Sequence, residues 1–374
     1  MTDTITLDKK LFRELLDAAL SADPQRSRQL GIAISAEIEA SGNKAVAKAL
    51  RQQIRKKGAV LQTSRQAPPQ LPVDNNTRKA LVEQVPAPDT PVFLNTDAST
   101  VINSFVEDAQ NTDLLKAQGL APRLFLMLHG LPGTGKSLLA GHVASMIGRP
   151  MIVARLDSLI SSKLGETAKN IREIFDYAAQ QGSALFLDEM DAVAKLRDDR
   201  QELGELKRVV NTVLQGLDGL PDDAVVISAT NHPQLLDTAV WRRFAYSIEI
   251  ELPELDTRQM MWQYFLFEDK EIQSPTPDIL ASLTERLSGS DIETLAYASR
   301  RHSILDKKPV DLAALVKAIS RSSHGKPSLP DRSPISSEQK AVLANLLVNE
   351  LNVSKVNAAN LLDVSRQMIY RYLS

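Results

Sequence analysis

Gly130-Leu131-Pro132-Gly133-Thr134-Gly135-Lys136-Ser137 fills every demanded position of the pattern G-x-x-x-x-G-K-[ST]. Before it lies an apolar run, Leu124-Phe125-Leu126-Met127-Leu128, which reads as a buried strand. After it, Leu138-Leu139-Ala140 leads into His142, Val143, Ala144, Met146 and Ile147, a helix-like run. Strand, glycine loop and helix are the order that phosphate binding needs. Gly133 and Gly135 let the backbone curl so that its N–H groups face phosphate oxygens, and the helix N-terminus adds a positive dipole end. Lys136 is expected to reach β- and γ-phosphates, and Ser137 to place a hydroxyl on Mg²⁺.

Two further strands follow the same grammar. The run Ala184-Leu185-Phe186-Leu187 is followed at once by Asp188-Glu189. Short continuous apolar runs suit buried parallel strands, and acids at their C-terminal ends sit where open α/β sheets bind ligands. Asp188 is expected to hold Mg²⁺ through its water shell. Glu189 is expected to polarise the attacking water, so the chain is read as hydrolysing ATP as well as binding it. The run from Ala224 to Thr230 ends at Asn231, a polar amide suited to the γ-phosphate or the lytic water, although alone it also fits a turn. Arg242 and Arg243 fit a solvated surface. They equally fit projection into a neighbouring subunit's ATP, because guanidinium matches phosphate oxygens bidentately.

Taken together, GLPGTGKS, ALFLDEMD, LDGL (217–220), VVISATNHP (225–233) and LLDTAVWRRF (235–244) resemble, in order and spacing, the motifs of AAA+ ATPases. The likeness is to the AAA clade that contains katanin, spastin and the proteasomal ATPases, and it covers roughly Phe105 to Ser322. The resemblance implies an α/β fold: a P-loop αβα core with a helical lid. It makes Gly130 and the run Pro132 to Leu138 nucleotide-binding, including Pro132, Gly133, Thr134, Gly135, Lys136 and Leu138. Ser137 and Asp188 become the Mg²⁺ residues, Glu189 the Walker B carboxylate that polarises the water, and Asn231 sensor 1. Arg242 and Arg243 become arginine fingers acting in trans, and Asp218-Gly219-Leu220 an intersubunit-signalling stretch. Ser288-Gly289-Ser290-Asp291 resembles the lid-helix start, where Gly289 packs near adenine. No sensor 2 arginine is assigned. The segment from Leu159 to Asn170 resembles a pore loop, but Lys163 stands where that clade usually has an aromatic.

Composition narrows the rest. The 374 residues are 43% hydrophobic with a formal net charge of −2, an ordinary balance with no bulk basicity for coating nucleic acid. With no cysteine, disulfides, a thiol nucleophile and cysteine-ligated metal centres are excluded. No apolar run approaches a bilayer span, and MTDTITLDKK at the N-terminus lacks a signal core, so no membrane contact and a cytoplasmic location are expected.

The expected organisation is an N-terminal helical hairpin over 1–60 and a Pro-rich linker over 61–97. The large ATPase subdomain then spans 98–253 and the helical lid 254–325. A helix-turn-helix-like domain closes the chain over 333–374. In the first part Leu7, Leu11, Leu15, Leu16, Ala19 and Leu20 recur at helical spacing, then Leu30, Ile34 and Ile38. The hairpin ends in a cluster of Arg51, Arg55, Lys56 and Lys57, which fits a solvated helix end. In the last, 354–373 fits two short helices around a tight turn. Ser365 would cap the second, and Asp363 stands where the motif usually has glycine. Arg366, Gln367, Tyr370 and Arg371 would face a DNA major groove. Against that, net charge from Ser333 onward is only about +1, where phosphate neutralisation dominates DNA affinity.

These features lead to an ATP-hydrolysing motor that assembles with itself as a hexamer and remodels or regulates a protein partner. The hairpin, the linker and LISSKLGETAKNIR resemble ATPases of bacterial modules paired with a subtilisin-like protease, associated with plasmid maintenance and phage defence. Two alternatives stand: a DNA-directed ATPase of transposition or replication using 354–373, and a nucleotide-gated transcriptional regulator.

Overall fold

A computed structural model describes Leu30, Ile34, Ser35, Ile38, residues 71–74, 78, 80–156, 164–192, 203–268 and 274–374, with the side chains of 164–166 and 203–208 left aside. The chain divides into two units, Met1–Gln70 and Leu71–Ser374. In the first, Ile34, Ser35 and Ile38 are helical and buried, the i, i+4 pair of isoleucines sharing one face. The remaining hairpin residues, the Arg51–Lys57 cluster and Lys163 lie outside the described residues.

The second unit is built on a six-stranded sheet. Its strands are β1 (Glu83–Val85), β2 (Phe125–His129), β3 (Met151–Arg155), β4 (Ala184–Asp188), β5 (Val225–Thr230) and β6 (Tyr246–Glu249). They lie in the order β1-β3-β4-β5-β2-β6, with β1 antiparallel to β3 and every other pairing parallel. Parallel neighbours need crossovers, and helices supply them. These are α1 (Thr96–Gln110), α2 (Thr112–Ala117), α3 (Lys136–Ile147), α4 (Leu164–Gln181), α5 (Leu203–Gly219) and the short α6 (Thr238–Trp241).

Strand side chains alternate between two cores, as the period of two requires. Phe125, Met127, Leu185, Leu187 and Val226 face Ile171, Ile174 and Phe175 of α4 and Val213 and Leu217 of α5. Leu126, Leu128, Phe186, Val225 and Ile227 face Ile102 and Phe105 of α1 and Leu139 and Val143 of α3. Covered on both sides, the central strands carry the nearly continuous apolar runs seen in the sequence, with Ser228 and Thr230 of β5 buried among them.

Beyond the sheet come α7 (Leu255–Phe267), α8 (Thr276–Leu283), α9 (Gly289–Asp306) and α10 (Leu312–Arg321), followed by α11 (Ser337–Asn345), a π turn (Leu346–Glu350), α12 (Lys355–Leu361) and α13 (Arg366–Leu373). Trp262, Phe265, Ile292, Leu295, Leu315 and Val316 share one core with Leu343, Leu347, Leu361, Leu362 and Ile369. The helices after 333 therefore have no separate core; they complete that of the lid helices. The turn between α12 and α13 places Asp363 at φ +48°, and Ser365 caps α13 by accepting from the Met368 N–H.

Residues 83–94 depart from the expected linker. β1 lies at the sheet edge, where strand pairing is needed on one side only. Pro88 packs against Gly141 of α3 so closely that a Cβ there would lie 2.9 Å from the ring. Among the described residues no helix is long and apolar enough to cross a membrane.

Gly216 lets α5 approach α4: a Cβ would fall 2.3 Å from the buried Phe175 ring. Gly216→Ala should lower unfolding stability by about 1–3 kcal/mol through overpacking. A denaturant midpoint shift worth less than about 0.5 kcal/mol would mean the ring moves aside freely.

Candidate active site

The loop after β2 curls under close contact. Gly130 sits at φ +143°, and a Cβ there would lie 2.2 Å from the Ile250 carbonyl oxygen. Gly133, at φ +77°, would place a Cβ 2.6 Å from Ser288 Oγ at the start of α9. Both positions need glycine for its freedom and for its lack of a side chain. Gly135, left-handed as well, precedes the first turn of α3, whose N-terminal N–H groups are unsatisfied by helix bonding.

Lys136 is only 7% exposed. Its Nζ donates to the carbonyls of Gly130 at 2.9 Å and Leu131 at 2.7 Å, and Thr134 Oγ1 donates to the same Leu131 carbonyl. Burial pushes the Lys136 ammonium down to about 8; the nearby carboxylates of Asp188 and Asp191 oppose that fall. Ser137 Oγ donates to Asp188 Oδ2 at 3.4 Å across the intervening strand β5.

At the tip of β4 the Glu189 N–H donates to Asp188 Oδ1 at 2.9 Å, and Glu189 itself is left-handed at φ +56°. A non-glycine residue there stores strain, a condition that clusters at functional sites. Asn231, just past β5, carries a buried Oδ1 without a hydrogen-bond partner.

Lys136, Ser137, Asp188, Glu189 and Asn231 line one cavity of about 440 Å³, and Gly130 is not among its lining residues; the size is typical of small-ligand sites. Pro132, Gly133, Thr134, Gly135, Lys136, Ser137, Leu138, Asp188, Glu189 and Asn231 form its polar end. Its other end is lined by Thr90 to Leu94, Ile250, Met261, Phe265, Gly289, Ser290 and Glu293. Burial pushes the Glu293 carboxyl up. Gly289 is where Met261 Cε approaches to 3.2 Å of an added Cβ, and the Ser290 N–H donates to the Gly133 carbonyl, joining lid to loop. His142 on α3 holds the Thr90 carbonyl at 2.7 Å.

Sequence reading missed the Thr90–Leu94 strap, Ile250, Met261, Phe265 and Glu293. Only the apolar Val92-Phe93-Leu94 after a proline signalled the strap. Arg242 and Arg243 are not brought to this cavity. Arg243 makes a bidentate pair with Asp218, Nη2 to Oδ2 at 2.8 Å and Nε to Oδ1 at 3.1 Å, and donates to the Ala239 carbonyl. Those bonds hold the Asp218 carboxyl below the usual range, with Arg123 adding to them. Arg242 is exposed, with no ion pair among the described residues.

Residues 126–252 match the family described as "ATPase family associated with various cellular activities (AAA)". This chain carries an AAA ATPase domain. The chain is 42% identical over 154 residues to an uncharacterized AAA family ATPase of Sinorhizobium fredii, covering 41% of this chain and 47% of that one. It is 33% identical over 220 residues to a proteasome-activating nucleotidase of Sulfurisphaera tokodaii, covering 57% and 56%. The chain thus spans about half the length of these curated relatives. The solved AAA domain of FIGL-1 superposes with a TM-score of 0.52 at 26% identity, over 65% of this chain and 83% of that one. A second structure of that domain, in complex with ADP, gives 0.51 at 28% identity over 60% and 77%.

The cavity's residues fit a magnesium nucleotide. A polyphosphate meets a buried ammonium and a helix N-terminus, and the oxygens of Ser137 and Asp188 already converge. Among the described residues no cluster of three or more His, Asp or Glu could hold a metal; Mg²⁺ asks for less, one or two carboxylates plus substrate phosphates.

Nucleotide affinity should depend on pH through Lys136. The protonated ammonium attracts phosphate, so affinity is full below pH 8 and falls as pH rises through about 8. Well above that point ADP binding should weaken by about tenfold per pH unit. Titrations between pH 7 and 9.5 check this, with the weak binding of Lys136→Gln expected to stay flat over the same range.

Proposed function

We propose that this AAA domain hydrolyses ATP and that the chain works as a homo-oligomer, a hexamer, to remodel a protein partner. The observation that carries the hydrolytic reading is the strained Glu189 turn, set in the same cavity as Lys136, Ser137, Asp188 and Asn231. A site built only to bind nucleotide has no need of a second carboxylate in a costly backbone conformation.

In this reading the backbone of 133–138 and Lys136 hold the β- and γ-phosphates, and Gly289 packs beside the adenine. Ser137 and Asp188 would hold Mg²⁺, which supplies charge neutralisation to the phosphate oxygens. Glu189 accepts a proton from the attacking water, and the Asn231 amide orients that water or the γ-phosphate. The bond from the γ-phosphorus to the bridging oxygen breaks as the one to water forms, leaving ADP and phosphate.

Arg242 and Arg243 complete the site of the next subunit. Neither lines its own chain's cavity, which supports that placement, since a guanidinium useful in cis would line it. A protein partner is favoured by relatives named proteasome-activating nucleotidases. A subtilisin-like protease, in a module of plasmid maintenance or phage defence, is the first partner to test, with Lys163 in the pore as the substrate contact.

A second reading, DNA as partner, has one observation behind it. Arg366, Gln367, Tyr370 and Arg371 are exposed on α13, and Lys355 places its ammonium 4.0 Å over the Tyr370 ring. A transcriptional regulator gated by nucleotide would use the same face.

Steady-state ATPase assays test both readings. Glu189→Gln should lose at least about 10²-fold in turnover while still binding ATP; wild-type turnover in that variant would sink the hydrolytic role. Arg243→Ala and Arg242→Ala should each bind ATP, with turnover lowered by up to about 10³-fold for the true finger. Mixing that variant with Lys136→Ala subunits, which keep both arginines, should restore activity. Stimulation by unfolded protein or by the candidate protease, but not by duplex DNA, supports the protein motor. Stimulation by DNA alone, lost at higher salt and in Arg366→Ala/Arg371→Ala, favours the second reading.

A further inference from the structure

We propose that Asp191 is a positioning residue for hydrolysis, a buried carboxylate that ties the turn carrying Glu189 to the strand end carrying Asn231. The proposal rests on reading those two as the groups that face the attacked phosphate.

Asp191 is 3% exposed and is not among the residues lining the cavity. Its Oδ1 accepts from Thr230 Oγ1 at 3.0 Å and from the Asn231 N–H at 3.4 Å. The Thr230 hydroxyl in turn accepts from the His232 N–H at 3.0 Å. One step back along the chain, the Met190 N–H donates to the Ala229 carbonyl at 2.9 Å. Cross-strand bonding therefore continues past the last residue of β4, from the acid-bearing turn to the amide-bearing strand end.

Between Asp188 and Met190 stands Glu189 at φ +56°. A residue in that region relaxes unless its surroundings over-determine it. The bonds of Met190 and Asp191 fix the chain on the far side of Glu189, and the Asp188 carboxylate fixes the near side through the Glu189 N–H. The same Asp191 oxygen fixes the backbone of Asn231. One carboxylate thus sets the separation of two groups that must act on the same water.

A carboxylate buried this deeply is costly unless it is hydrogen-bonded, and Asp191 has its bonds.

The test uses the full chain with Asp191→Ala, Asp191→Asn, Asn231→Ala and the double variant Asp191→Ala/Asn231→Ala. Displacing a reacting geometry by about 1 Å costs about 10²-fold, so Asp191→Ala should lose that order of kcat while keeping ADP affinity, because ADP lacks the γ-phosphate. Asp191→Asn keeps an acceptor oxygen and should retain most of kcat. The double variant should lose less than the product of the two single losses, because part of the Asp191 effect passes through Asn231. If Asp191→Ala loses its fold, judged by its unfolding midpoint, Thr230→Val removes one of the same bonds and should give the same pattern. Wild-type kcat in Asp191→Ala, fully additive losses, or a parallel loss of ADP affinity in both Asp191 variants would each overturn the proposal. Wild-type kcat in Asn231→Ala would overturn the reading of Asn231 instead.

Discussion

The ammonium of Lys136 sits almost wholly out of water, and two carbonyls of its own loop replace the solvent it gave up. Burying an unpaired charge is prohibitive, so the loop must curve to present those oxygens. The curve needs Gly130, because any side chain there would strike the Ile250 backbone. Once curved, the loop sets where α3 begins, and with it the point at which Ser137 meets Asp188. The nearby acids then keep the buried ion from losing its proton altogether. Loop shape, helix start and the seat of the buried ammonium are one arrangement.

Sheet order supplies the rest of the geometry. β4, β5 and β2 are adjacent and parallel, so the loop after β2, the acids after β4 and the amide after β5 emerge on the same edge. The lid closes over this edge through the Ser290 bond to Gly133 and through Met261, Phe265 and Gly289. Helices α11 to α13 share the lid's core through Leu343, Leu347, Leu361, Leu362 and Ile369. Whatever docks on α13 would bear on the helices that close the cavity.

The central strands were legible because they are buried on both faces. Their runs are almost wholly apolar, and residues at or just past their ends line the cavity: the loop, Asp188-Glu189 and Asn231. Ser365 and Asp363 were legible too, since capping and tight turns are local matters. The strap from Thr90 to Leu94 was not. Its proline-rich composition reads as a spacer, and only the contact of His142 with Thr90 and of Pro88 with Gly141 turns it into a cavity wall. Met261, Phe265 and Glu293 looked like ordinary residues of lid helices.

The sequence by itself determined the αβα layering, the glycine loop after β2 and the acids and amide at the strand ends, because strand burial and tight glycine turns impose local patterns on residue choice. Tertiary structure alone decided that Arg243 pairs with Asp218, that the C-terminal helices join the lid core, and that Asp191 spans two strand ends. Each of these depends on residues far apart in the chain, whose meeting is set by strand order and helix packing and leaves no period in the sequence.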